Sequence, residues 1–514
     1  MILSKNISSL TIIIIAAALL APLLFMFAQI SNNSSETIAH LSQTVLPLYV
    51  SNTIYLIVGV GLATFLIGTV TAYLTANYQF FASRFMSFAL FLPLAIPAYI
   101  AAFIYGGIFE FHLNIRSIGG AIFVMSFVFY PYVYMLSHVA FAKNRNLINL
   151  SHLYGLSPCQ TFFKTALPSA RPAIAAGISL ALMETIADFG TVQHFAVDTF
   201  TTGIYRSWYG MFDKQAAIQL AFYLMLFVVI FIILEKYSQK QNRYRSVNIN
   251  SGFTGKIKLK GAKSFAAFII CAIPFFFGFI LPVTQMIIWT AESSQGSFDS
   301  SFISSVKNSF SVSFAAAAIA VIIALIYSYI LRFGKKTSIT NLMIRISAQG
   351  YAIPGSVVAV AIVAYLGYVD NFLDKKFDTG LLFSGTIIAL IFAYLLRFLT
   401  VSLNSVESSM QKITDEIHFS AKLFGLTNRK IIHKIHSPII SRSVILALLF
   451  VFVEAIKELP ATLIIRPFNF ETLATRAYQL ASDERLIDSA TYGLSIVILG
   501  LIPVLLLGLG SRNK

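Results

Sequence analysis

Twelve long apolar blocks dominate this sequence, and each is long enough to cross a membrane as a helix. They lie at roughly 10–30, 51–75, 86–106, 119–141, 171–192, 215–235, 265–290, 309–332, 342–368, 380–402, 441–462 and 488–510. About 18 apolar residues suffice to span the roughly 30 Å hydrocarbon layer. Lipid offers no partner for a bare backbone group, so only helices and closed barrels cross it. A barrel would show short alternating segments instead. The blocks therefore predict an all-α, polytopic membrane protein with about twelve transmembrane helices. Pro93, Pro97, Pro274 and Pro354 fall inside blocks without counting against helices there, since neighbours can satisfy freed backbone groups. The run Leu10–Met26 after Lys5 is long for a signal-peptide core and lacks a small-x-small cleavage site, so it is read as a retained first helix.

Charge supports this class and orients it. Only 11% of residues are charged, yet the net charge is +16. In a soluble chain such a balance would suggest nucleic acid. Here the charges sit in a few loops, so no nucleic-acid partner is implied. Segment 236–263 holds eight basic residues and no acid, 142–171 holds four and no acid, and 403–443 holds six basic residues. Segments 31–50, 107–118 and 291–308 carry none, Arg116 and Lys307. The positive-inside rule places the basic loops and both termini in the cytoplasm. No loop is long enough for a soluble domain. Cys159 and Cys271 form neither a disulfide framework nor a metal site.

The sequence repeats itself at an offset of 270. Gly155-Leu156 matches Gly425-Leu426, Pro168 matches Pro438, Glu184 matches Glu454, and Asp188 matches Glu458. The register continues through Phe200 and Phe470, Thr202 and Thr472, Arg206 and Arg476, and Asp213 and Asp483. Upstream, Ala95-Ile96-Pro97 resembles Ala352-Ile353-Pro354 at offset 257. An offset of six helices returns the chain to the same side, so the two six-helix repeats are tandem and parallel. The expected division is an N-terminal half at 1–235 with its core at about 51–235, a basic linker at 236–264, and a C-terminal half at 265–514 with its core at about 305–510.

Each half has a long cytoplasmic segment between its fourth and fifth helices. One runs from Gly155 to Leu167-Pro168, the other from Gly425 through Ile435 to Pro438. Glycine permits a turn with positive φ, and proline stops or redirects a helix. Ser157-Pro158 reads as a helix start, with serine as cap and proline in the first turn. The expectation is a short amphipathic helix between Gly and Pro, exposed for docking. The spacing resembles the EAA loop of ATP-binding-cassette (ABC) importer permeases: Glu-Ala-Ala, three residues, Gly, nine residues, Ile-x-Leu-Pro. Asn149-Leu150-Ser151 and Phe419-Ser420-Ala421 stand where Glu-Ala-Ala would be. The resemblance implies the type I importer permease fold, with Gly155, Leu167, Pro168, Gly425, Ile435 and Pro438 coupling the chain to two ATPase subunits at 142–170 and 403–440.

Further stretches narrow the resemblance. Lys457–Arg476, Tyr478–Arg485, Glu184–Thr191 and Thr201–Arg206 resemble permeases of bacterial ferric-iron importers, which share the fused layout. Thiamine and some phosphonate importers share it as well. This implies a bacterial inner-membrane permease that passes ferric iron from a periplasmic binding protein. Glu184, Asp188, Glu454 and Glu458 fall in apolar blocks, where an ionisable group is costly and marks function by default. Each pair is spaced i,i+4 on one helix face. They either line a path for a hard cation that favours oxygen or form structural ion pairs such as Glu454 with Lys457. Arg206 and Arg476 either meet a solute-binding protein or anchor their loops. There is no Gly-x-x-x-x-Gly-Lys-Ser/Thr loop and no protease or hydrolase motif. The chain is thus expected to need no cofactor, to be no enzyme itself, and to draw energy from ATPase partners. A secondary transporter driven by an ion gradient also has repeats and buried carboxylates, but it predicts no pair of Gly-to-Pro loops.

Overall fold

The computed structural model describes residues 5–30, 40–41, 43–109, 114–240, 255–293, 299–333 and 337–512. The helices follow the apolar blocks closely. In the first half they are α1 (Lys5–Gln29), α2 (Leu46–Asn77), α3 (Ser83–Ala89), α4 (Ala98–Phe109), α5 (Ile118–Lys143), α6 (Arg145–Leu153), α7 (Pro158–Ala187), α8 (Gly190–His194), α9 (Phe200–Tyr205) and α10 (Lys214–Lys240). In the second they are α11 (Gly261–Glu292), α12 (Ser300–Phe333), α13 (Ser338–Ser347), α14 (Gly355–Phe377), α15 (Ile387–Met410), α16 (Asp415–Leu423), α17 (Ile432–Lys457, entered through Asn428–Ile431), α18 (Pro460–Ile465), α19 (Leu473–Ser482) and α20 (Leu486–Arg512). Two short strands, β1 (Tyr78–Gln79) and β2 (Ile257–Lys258), pair in parallel. Residues 241–254 of the basic linker lie outside the described residues. Among the described residues ten helices are long and apolar enough to span a membrane, or eleven counting one bent pair.

Two expected helices are broken. Block 86–106 divides into α3 with a 3-10 turn (Leu92–Ala95) and α4, which meet at 92°. Block 342–368 divides into α13 and α14 around the turn Gly350–Ala352. The cause is local. Ile96 and Ile353 precede prolines and sit in extended geometry (φ −97° and −87°), because a following proline disfavours the helical region.

Backbone contacts group the chain into two compact units that cut across the two sequence halves. One comprises Met1–Ala39, Ile204–Met225 and Phe298–Arg476, the other His40–Gly203, Leu226–Ser297 and Ala477–Lys514. Each has the same three-helix core. In the second unit α2, α5 and α7 pack mutually, and in the first α12, α15 and α17 do. Glycine makes one of these cores close. A methyl group on Gly68 would stand 2.7 Å from Val133 Cβ, and one on Gly177 would stand 2.6 Å from Val133 Cα. Small residues let membrane helices approach at their backbones, where van der Waals packing drives association. The N-terminal helix α1 packs on α13 and α14 of the later half, whereas α11 packs on α3 and α4 and α20 on α4 of the earlier half.

Candidate functional site

The two Gly-to-Pro segments share one backbone design. Helices α6 and α16 each end at a glycine in the left-handed region, Gly155 at φ 80° and Gly425 at φ 72°. The Leu156 N–H then donates to the Ser151 carbonyl at 3.1 Å, and the Leu426 N–H to Ala421 at 3.2 Å. This is the closure that caps a helix C-terminus with glycine. A Cβ at either glycine would meet nothing within 4 Å, so the requirement is conformation and not room. The turns carry apolar side chains into the open. Tyr154 and Phe424 are each 85% exposed, and Leu423 is 88% exposed. Such exposed apolar clusters mark surfaces meant to be covered.

The short helix expected between glycine and proline is not separate. It opens the long helix, and the independent short helices are α6 and α16, before the glycine. Ser157 does cap the start: its Oγ accepts from the Gln160 N–H at 3.3 Å and Gln160 Oε1 accepts from the Ser157 N–H at 3.2 Å. Pro168 and Pro438 do not stop α7 and α17. Each follows one π turn, Phe162–Ala166 or Ile432–His436, in which the Leu167 or Ser437 N–H reaches back five residues to Phe162 or Ile432. The wider turn re-aims the carbonyls that a proline ring would otherwise strike. Leu167 and Ile435 lie half-buried beside these turns. Ser151 Oγ donates to Thr165 Oγ1 at 2.9 Å and ties α6 to the first π turn. In the other unit His418 Nδ1 and His436 Nε2 lie 3.4 Å apart, and the Phe333 ring stacks on both.

The four carboxylates divide into two roles. Asp188 accepts from the Thr191 N–H and Oγ1, both at 3.0 Å, and from the Val192 N–H at 3.3 Å. Glu458 accepts from the Ala461 N–H at 2.9 Å. Each thus caps the short helix that follows, α8 or α18. Glu458 also forms a buried ion pair with Arg397. A side chain on Gly355 would meet that pair and Pro460. Arg397 is not among the residues the sequence pattern singles out; its one signal is a lone arginine inside an apolar block. Glu454 pairs with Lys457 at 3.6 Å. Glu184 is half-buried one turn before Asp188. Among the described residues no three His, Cys, Asp or Glu side chains are gathered as a metal site.

The repeat slips by three residues beyond the caps. The Thr199 N–H donates to Thr202 Oγ1, and the Thr472 N–H to Thr475 Oγ1, both at 2.8 Å. Asn52 Nδ2 donates to the Asp198 carbonyl at 2.9 Å, and Asn308 Nδ2 to Glu471 at 3.0 Å. The threonines and the two accepting carbonyls sit at offset 273, as do the positive-φ residues Ala196 and Asn469. Thr202 therefore corresponds to Thr475, not Thr472. Arg206 corresponds to Gln479, and Arg476 to Gly203. Arg206 is exposed on a π turn while Arg476 is half-buried in α19. The extra residues lie in a loop where Arg466 pairs with Glu471 and Phe468 is 94% exposed.

Comparison with known proteins agrees with this architecture. Residues 64–244 match the family described as binding-protein-dependent transport system inner membrane component. The chain is 27% identical over 509 residues to the Fe(3+)-transport system permease protein FbpB 2 of Haemophilus influenzae, covering 97% of each. It is also similar to probable sulfate transport system permease proteins cysT. That of Chlorella vulgaris is 27% identical over 146 residues, 26% of this chain and 54% of the relative. That of Nephroselmis olivacea is 30% identical over 138 residues, 24% of this chain and 49% of the relative.

Proposed function

We propose, from the premise that this chain is a permease of the binding-protein-dependent transport family, that it forms the membrane path of an ATP-driven ferric-iron importer. The observation that carries the reading is the similarity to a ferric-iron permease along 97% of both chains. A single chain holding both halves needs no second permease. Two ATPase subunits dock at the glycine turns within 142–170 and 403–440, on the cytoplasmic side with both termini, and a periplasmic protein delivers the solute. The basic loops support that orientation. Nucleotide is bound by the partners and not by this chain.

The geometry suggests how force enters. Each exposed turn leads directly into a long helix. Helix α7 runs unbroken for 30 residues, about 45 Å at 1.5 Å per residue. It ends at the Asp188 cap, as α17 ends near Glu458. Closure of an ATPase subunit on ATP moves the turn, and the stiff helix carries the motion to the capped joint; hydrolysis resets it. Asp188 and Glu458 hold the joints, which leaves Glu184 and Glu454 as the carboxylates for a hard cation. Arg206 and Arg476 meet the binding protein from non-equivalent positions.

The test is uptake of ferric iron by proteoliposomes carrying the chain with its copurified ATPase and binding protein. Glu184→Gln/Glu454→Gln should reduce uptake at least tenfold while abundance and ATPase coupling persist. Normal uptake in that variant removes the pathway role. Uptake of thiamine or a phosphonate in place of iron changes the solute and leaves the transporter class standing.

A further inference from the structure

The unit holding α2, α5 and α7 carries a basic face that extends beyond the segment assigned to ATPase docking. Residues 43–109, 114–183 and 255–291 contain no Asp or Glu at all. At the α6 end of these helices stand Arg84, Lys143, Arg145, Lys164, Arg171, Lys256, Lys258, Lys260 and Lys263. Two of these are used internally. Arg145 Nη2 donates to the Ala76 carbonyl at 2.8 Å, and Lys256 Nζ to Thr75 at 2.7 Å. Both therefore cap the C-terminal carbonyls of α2, as cations do favourably at a helix C-terminus. The corresponding segment of the other unit does carry acids: Arg345 pairs with Glu407 at 2.6 Å and Arg332 with Asp415 at 3.1 Å.

The end of the linker is fastened against this face. Strand β2 pairs with β1, placing Lys258 opposite Gln79. The Phe81 N–H donates to Ser264 Oγ at 2.9 Å, and α3 packs on α11. This brings Arg84, Lys258, Lys260 and Lys263 together, all exposed, where the apolar span Gly261–Glu292 begins. Exposed phenylalanines surround them: Phe81, Phe85 and Phe265 are 68%, 52% and 63% exposed. Cations beside aromatic rings at the start of a membrane span match the depth of lipid phosphates above acyl chains.

We propose that Arg84, Lys258, Lys260 and Lys263 form a binding site for the headgroup of an anionic phospholipid, with Phe81, Phe85 and Phe265 against its acyl chains. The site holds the docked linker end to the membrane surface beside α6. It rests on the membrane position of α3 and α11 alone, and not on the solute or the ATPase. An acidic protein surface would satisfy the cations but would leave three phenylalanines in water, so lipid is the better occupant.

The experiment is native mass spectrometry of the purified full chain with dioleoyl phosphatidylglycerol, dioleoyl phosphatidylcholine or inorganic phosphate. Phosphatidylglycerol should be retained at least tenfold over phosphatidylcholine, and phosphate alone should not compete. Arg84→Gln/Lys258→Gln/Lys263→Gln should lower retention about fivefold or more. Lys307→Gln/Lys375→Gln/Lys376→Gln, with the same loss of charge elsewhere, should leave it unchanged. Equal retention in the first variant, or an equal drop in both, overturns the site. If the first variant does not fold, the salt dependence of the unaltered chain decides. Lipid retention should fall steeply between 0.05 and 0.5 M salt, and salt-independent retention overturns the proposal.

Discussion

The turn after α6 and the turn after α16 solve one problem with different side chains. Both end a nine-residue helix with a left-handed glycine, expose an aromatic residue just before it, and enter a long helix through a π turn ahead of proline. Beneath them the supports diverge. Ile148 and Ala166 are fully buried under the first, while His418, His436 and Phe333 form a stacked set at the equivalent positions under the second. The caps at the far ends diverge as well, since Glu458 has Arg397 as an ion-pair partner, whereas Asp188 is met by the Thr191 hydroxyl and backbone N–H groups. What the two copies share is backbone geometry, which only a few residue types can satisfy. What they do not share is packing, which many combinations can fill.

The comparison breaks most sharply at Arg397. Arg397→Met strands the buried Glu458 carboxylate, and losing one partner of a buried pair costs about 3–5 kcal/mol. Thermal unfolding in detergent should show a large loss of stability, whereas Thr191→Val, which removes one hydroxyl from the Asp188 cap, should cost far less. Equal losses would mean that the pair adds nothing to packing.

The glycines come next. A β-branched residue in the left-handed region is strained by about 1–2 kcal/mol, so Gly155→Val/Gly425→Val should distort both turns without a clash. ATPase coupling in liposomes should fall tenfold or more in the double variant and partly in each single one. Retained coupling would show that the turn geometry is not what the partner reads. A smaller effect is expected at Ser157, which caps the start of α7. Ser157→Ala should lower stability by about 1 kcal/mol, measurable as faster proteolysis near residue 157.

The histidines sharpen the comparison through pH. Burial, then the charge of Lys422, hold His418 below its ordinary value, which for a free histidine is about 6.5. The unfolded chain therefore takes up protons first as pH falls. The contribution of His418 to stability is present above about pH 6.5 and declines as pH falls below it. His418→Ile, which copies Ile148, should shrink the difference in unfolding temperature between pH 7.5 and 5.5. An unchanged difference would place the pH dependence elsewhere.

Much of the fold was legible because lipid imposes long apolar runs that composition cannot hide. The glycine turns were legible because positive φ leaves few choices. Other features were not. Pro97 and Pro354 fall inside apolar blocks that read as single helices, yet the residue before each is forced out of the helical region. The π turns leave no pattern of their own and let Pro168 and Pro438 continue a helix they were expected to end. Threonine and arginine recur often enough near 200 and 470 that the register at offset 270 looked continuous past the point where three residues enter the loop. The packing of α1 on α13 and α14 is a long-range contact that no local periodicity encodes.

In the proposed cycle this chain, with ATPase partners on its two glycine turns, moves ferric iron inward. The most direct measurement is accumulation of radiolabelled ferric iron by proteoliposomes holding the chain, its copurified ATPase and its binding protein. Accumulation should require ATP hydrolysis, persist when ion gradients are collapsed, and disappear in Gly155→Val/Gly425→Val. Accumulation without ATP that follows an imposed ion gradient would contradict that cycle.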